Sequence, residues 1–247
     1  MSRPPHGELA QRLDWLAEGT ARLDERLAAL PDHALDDQCL LPGWTRRHLL
    51  AHVGFNARAL LRLLHWASTG EETPMYADTT TRNREIAEGA RLDPAALRDL
   101  VATSAEELRQ AVDSLPEPAW SAQVVTAQGR RVPATEIPWM RCREVWVHAV
   151  DLNAGASFDG FPGPLLDALI DDITTTWQRK KQPPALLVAP TDRAGQWRVD
   201  IDGQEPATLT GTAADVVAAL SGRGRPQPAG VHETARDDAV PTLGRWL

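Results

Sequence analysis

Leu9, Leu13, Leu16, Leu23, Leu27 and Leu30 recur at helical spacing with charges between them, which predicts a helix over about Glu8–Leu30. Pro31 ends it. A polar stretch from Asp32 to Gln38 leads into Leu40-Leu41-Pro42-Gly43-Trp44, and Thr45 reads as the N-cap of a second helix running to about Thr69, before Gly70. That helix is apolar on more than one face, so it is expected at the centre. Glu71 to Thr81 is turn-rich, and Arg82 to Ala90 is polar and compatible with helix. Asp93-Pro94 is a cap followed by a first-turn proline, opening a helix through Leu97, Leu100, Val101, Leu108 and Val112. Gln123 to Pro133 reads as an irregular or hairpin-like connection around Gly129. A fourth long helix is predicted over roughly Thr135 to Asn153.

Four long amphipathic helices in this stretch suit an antiparallel bundle. After Gly155 the texture changes, and Phe158-Asp159-Gly160-Phe161-Pro162-Gly163-Pro164 reads as a junction. Beyond it a helix (about Leu165–Arg179), an apolar run (Ala185–Ala189), an alternating strand at Trp197, Val199 and Ile201, a strand near Ala207–Thr210, a helix near Ala213–Leu220 and a polar tail describe a small mixed unit. The expected class is α+β: a helical bundle over 1–157 and a smaller α/β domain over 158–247.

Composition narrows the function classes. The chain has 247 residues and a formal net charge of −8, which argues against a general grip on nucleic acid or anionic membrane. No apolar run reaches bilayer-spanning length. Met1-Ser2-Arg3-Pro4-Pro5-His6 leads into a charged helical pattern without a signal-type apolar stretch, so the expected setting is cytoplasmic. Two cysteines, Cys39 and Cys142, are too few for a disulfide framework. Nine tryptophans against one tyrosine and three phenylalanines point to large core fillers, not to a function.

The candidate chemistry lies in the fourth helix. Glu144 and His148 are four residues apart and share a face, among Val145, Val147 and Val150. A carboxylate and an imidazole buried together need a reason, and a shared metal is one. His52, in the apolar stretch Leu49-Leu50-Ala51-His52-Val53-Gly54, can converge on them if the two helices face each other. Two His and one Glu suit zinc and leave a fourth position open. The same spacing also arises in hydrogen-bonded surface pairs, and a lone His on an apolar face is also an ordinary core residue. His48 is the alternative ligand, although Arg46 and Arg47 beside it point to an exposed face. His65, next to Trp66, is assigned to packing, and His6, His33 and His232 to solvent.

Cys142 lies between Arg141 and Arg143, where cations would lower a thiol pKa. It falls roughly 200° around the helix from Glu144, so it reads as a packed thiol. Cys39 has no paired base. A reaction needing a thiolate would then take it from outside. Arg82 and Arg84, and Arg223 and Arg225 in the Gly-rich Ser221-Gly222-Arg223-Gly224-Arg225-Pro226, are candidate carboxylate binders or ordinary surface charges.

Leu40-Leu41-Pro42-Gly43-Trp44-Thr45-Arg46-Arg47-His48-Leu49-Leu50-Ala51-His52-Val53 resembles the second-helix signature of DinB-like metal-binding bundles. Trp66 through Tyr76, Thr126-Ala127-Gln128-Gly129-Arg130, Trp139 through Leu152 and the terminal Arg245-Trp246-Leu247 are similar to the mycothiol-dependent maleylpyruvate isomerase family. The resemblance covers essentially the whole chain and is weaker between about Ala156 and Leu209. It implies a DinB-like four-helix bundle with a smaller C-terminal α/β domain, zinc ligands at His52, Glu144 and His148, functional arginines at Arg82 and Arg223, and mycothiol as cofactor. The implied reaction is cis–trans isomerisation of maleylpyruvate to fumarylpyruvate, as in gentisate breakdown, by reversible thiolate addition. Partners are then a small unsaturated keto acid and mycothiol, with no nucleic acid and no membrane. Two other readings stand beside it: a mycothiol S-transferase that leaves the thiol attached to another electrophile, and a metal-stabilised bundle that only binds.

Overall fold

The computed structural model describes residues 6–181, 184–224, 227–228 and 246, the side chains of residues 6, 7, 227 and 228 excepted. Arg225, His232, the ends of Arg245-Trp246-Leu247 and the His6 side chain lie outside the described residues. The chain divides into two compact units, Met1–Ala156 and Ser157–Leu247. Among the described residues no helix is long and apolar enough to cross a membrane.

The first unit contains α1 (His6–Ala28), α2 (Arg46–Thr69), α3 (Thr79–Gly89), α4 (Pro94–Asp113) and α5 (Ile137–Asp151). Thr45 caps α2, and its hydroxyl lies 2.9 Å from His48 Nδ1. Gly70, at φ +78°, closes the helix with a left-handed turn that favours glycine. Asp93 caps α4 by accepting from the Ala96 N–H, and Pro94 occupies the first turn. The connection before α5 is an antiparallel hairpin, β1 (Gln123–Val125) with β2 (Arg131–Pro133).

α1 packs on α5, and α2 packs on α4, α3 and α5. Leu49, Leu50, Leu60, Leu63 and Leu97 are fully enclosed, as are Trp146 and Val145. At Gly19 the helices approach so closely that a Cβ would collide with the Trp146 ring. Trp146 Nε1 donates to the Trp15 carbonyl at 2.7 Å, so its one polar atom is satisfied where the ring is buried.

Two buried arginines fix α2 against α5. Arg46, whose neighbourhood has the sequence pattern of an exposed face, is instead buried. Its guanidinium donates to the carbonyls of Leu152, Ala34 and Asn153 and to the Asp37 carboxylate. The Leu152 and Asn153 carbonyls lie at and just past the end of α5, where no further helical turn supplies donors, and a guanidinium fork supplies several at once. Arg141, also enclosed, donates from Nη1 to the Val53 carbonyl (2.7 Å) and Asn56 Oδ1 (2.9 Å). Burial lowers its pKa to about 10, against the opposing pull of Glu144, so it stays charged at neutral pH.

The second unit contains α6 (Gly163–Lys180), β3 (Leu186–Val188), β4 (Trp197–Val199), β5 (Ala207–Thr210), α7 (Ala213–Leu220) and β6 (Gln227–Pro228). The sheet order is β4-β3-β5-β6, with β3 parallel to β5 and the outer pairs antiparallel. β6 falls where the sequence pattern predicts only a polar tail, because two residues carry no readable period. The class is therefore α+β, mostly helical with a small sheet.

Candidate metal centre

His52 projects from α2 one residue before the Val53 carbonyl that Arg141 holds, and Glu144 and His148 project from successive turns of α5. The three meet: one ligand atom from each lies within 4.8 Å of the others. His52 Nε2 is 2.9 Å and His148 Nε2 3.1 Å from the same oxygen of Glu144. Their side chains are 8%, 16% and 11% exposed for His52, Glu144 and His148, so the cluster opens to solvent by a narrow margin.

The donor set fits a divalent transition metal. Ligand atoms on a tetrahedral zinc lie about 3.3 Å apart, close to the two separations observed. His148 is oriented as a ligand by its neighbour, since its Nδ1 faces the fully buried Asp151 carboxylate at 2.8 Å, which turns Nε2 toward Glu144. His52 is held differently, with the Trp44 ring edge-on to its imidazole at 5.7 Å and Arg82 Nη2 at 3.3 Å from its Nδ1.

Burial would raise the Glu144 carboxyl, but the two imidazoles outweigh that and hold it well below the usual range. Burial drives His52 down, partly offset by Glu144. Burial would lower His148 too, but its bonds to Asp151 and Glu144 win and push it up to about 8. Three groups in one spot are thus shifted in different directions, a pattern that recurs at functional sites.

Other candidates resolve simply. His48 is spent on capping α2, and His65 is exposed rather than packed, 3.8 Å from Glu71. Cys142 is enclosed and burial pushes its thiol up to about 12, despite the arginines beside it; Cys39 is also buried and raised. Arg223, in the second unit, is half-buried after α7, with its N–H bonded to the Ala218 carbonyl and Nη1 2.6 Å from the Ser221 carbonyl. Sequence alone assigns no role to Asp151 or Tyr76. For Asp151 the available signal is a carboxylate three residues beyond His148 in an apolar helix.

The model of the mycothiol maleylpyruvate isomerase N-terminal domain family matches residues 16–153. This chain belongs to that family. A crystal structure of a mycothiol-dependent maleylpyruvate isomerase is 40% identical and superposes with TM-score 0.89, covering 96% of this chain and 97% of its own. The H52A mutant of a mycothiol-dependent maleylpyruvate isomerase gives the same figures. YfiT from Bacillus subtilis, described as a probable metal-dependent hydrolase with an unusual four-helix bundle topology, has TM-score 0.51 at 15% identity. It covers 62% of this chain and 88% of its own, and shares the fold alone. No curated protein matches. The matched residues 16–153 contain His52, Glu144 and His148.

Proposed function

We propose that this chain is a cytoplasmic, zinc- and mycothiol-dependent isomerase that converts maleylpyruvate to fumarylpyruvate. The observation that carries the reading is the convergence of His52, Glu144 and His148 from two helices of a family bundle. These three residues would hold the metal. When bound, zinc supplies the Lewis acidity that keeps a thiol ionised at neutral pH, and mycothiol supplies the thiol whose reversible addition frees the cis double bond to rotate.

The chain's own residues do the rest. Asp151 keeps the proton of His148 on Nδ1, so Nε2 presents its lone pair. If His52 presents Nε2 in the same way, its Nδ1 carries the proton, and Arg82 cannot donate to that atom. Arg82 is then free to pair with a substrate carboxylate or the enolate charge beside it. The family resemblance also implies a functional role for Arg223. The enclosed Cys39 and Cys142 supply no nucleophile, which agrees with a borrowed thiol.

The test is metal analysis joined to an absorbance assay of maleylpyruvate with and without mycothiol. About one zinc per chain and thiol-dependent turnover with unchanged product mass are expected. His148→Ala should lose both zinc and turnover. A product carrying the thiol would make the protein an S-transferase, and thiol-independent turnover would end the reading.

A further inference from the structure

The single tyrosine of the chain stands beside this centre, and the isomerase mechanism gives it no role. Tyr76 sits in the polar connection between α2 and α3, a segment that nothing in its sequence would make rigid. Its neighbour Met75 does so. Met75 is 5% exposed; its carbonyl receives Arg62 Nε at 2.9 Å and a second bond from Nη2, and its Sδ lies 3.2 Å from the Ala127 N–H. The Thr73 hydroxyl donates to the Arg62 carbonyl at 2.7 Å, tying the same loop back to α2. Tyr76 is thus presented by a pinned backbone.

The ring lies between two cations, with the guanidinium carbons of Arg62 and Arg82 each 5.9 Å from its centroid. Arg82, Glu144 and Arg141 are all close enough to the hydroxyl to act on it by charge. An arginine has only donors, so neither guanidinium beside the ring can take the phenol proton, which remains to be given. Among the described residues no acceptor takes it. The ring is half-buried, so the hydroxyl is within reach of a bound molecule. Arg62 is occupied with Met75 and serves as scaffold. The result is a concentration of positive charge and polarised donors in a chain whose net charge is −8.

We propose that the Tyr76 hydroxyl is a ligand-contacting hydrogen-bond donor that forms, with Arg82, a carboxylate pocket for a short dianion. This deepens the isomerase reading and rests on it for the identity of the site. Glu144 would repel an anion on its own, so the pocket belongs to the metal-loaded protein, where the divalent charge offsets the carboxylate.

The experiment is calorimetric titration of zinc-loaded full-length protein with maleate, comparing wild type with Tyr76→Phe. Zinc content and melting temperature are measured on both. The phenyl ring keeps the contact with both guanidinium groups, so Tyr76→Phe should hold its zinc and its melting temperature while binding maleate about tenfold more weakly. Equal affinity overturns the proposal, as does wild type that fails to bind maleate. Zinc loss or a falling melting temperature in the variant would also overturn it, by making the hydroxyl structural. The two readings fail separately: protein that binds maleate through Tyr76 yet does not isomerise maleylpyruvate refutes the isomerase assignment alone, whereas turnover with unchanged maleate affinity in Tyr76→Phe refutes only the pocket.

Discussion

α5 of the first unit and α6 of the second are both largely enclosed helices, and they fill their interiors in opposite ways. α6 buries Leu165, Leu166, Leu169, Ile170, Ile173 and Trp177, and its buried Thr174 satisfies its hydroxyl on the Ile170 carbonyl of the same helix. α5 buries Arg141 and Asp151 outright and keeps Glu144 and His148 nearly so. Polar groups taken out of water cost free energy unless each is paired, and charged ones cost more. α5 therefore draws its partners from α2 and from its own next turn, whereas α6 buries mostly apolar volume and leaves the Trp177 indole N–H without a partner among the described residues. Burial alone does not separate a core helix from a site helix; the partners of its buried polar atoms do.

The largest effect expected from breaking this contrast is in α6. Leu169→Ala leaves a cavity in a fully enclosed position and should lower stability by about 3 kcal/mol in urea unfolding. Zinc content at saturation should stay at the wild-type level, because the ligand trio is carried wholly by α2 and α5. A variant that lost zinc while still folded would mean that α6 is no mere core helix.

In α5 a far smaller chemical change should reach the metal. Asp151→Asn keeps the shape of the buried side chain but removes the charge that orients His148 and fixes its proton on Nδ1. Such outer partners typically contribute 10- to 100-fold in metal affinity. Competition with a chromophoric chelator should show a loss of about that size, with metal-free unfolding at neutral pH changed by about 1 to 2 kcal/mol. Unchanged zinc affinity would reduce Asp151 to a packing residue.

The same contrast explains what the sequence discloses. The bundle is legible because amphipathic period, caps and stops agree: Thr45 and Gly70 bound α2, and Asp93-Pro94 opens α4. Glu144 and His148 are legible as a pair because helical spacing is local. His52 lies 92 positions away, and its convergence with them depends on how two helices face, which no local pattern states. Family resemblance supplies that link, and the geometry agrees with it. Arg46 misleads because a charged type signals a cost of burial, not the presence of orphaned carbonyls at Leu152 and Asn153 able to meet it. Tyr76 stays silent because a turn-rich connection has no period. Its position comes from a backbone clamp by Arg62 that only the fold reveals.

The smallest effect is also the most diagnostic of a seam with opposed charge states. In metal-free protein, His148 is raised to about 8 and His52 is lowered, each against an ordinary value near 6.5. A raised histidine stabilises the fold fully below its unfolded pKa, and that contribution is lost as pH climbs through about 8. A lowered histidine acts in the other direction: below about 6.5 the unfolded chain takes a proton that the native state resists, so stability falls as pH falls. The two arms make the stability of the metal-free protein peak near pH 6.5, with a decline of about 1 to 2 kcal/mol by pH 8.5. Urea unfolding across pH 5.5 to 8.5 in chelator measures it. Asp151→Asn should flatten the alkaline arm, since the bond to Asp151 is the leading influence raising His148, and leave the acid arm, which belongs to His52. A profile rising steadily to pH 8.5 would show that His148 is neutral in the native state and that Asp151 does not hold its proton.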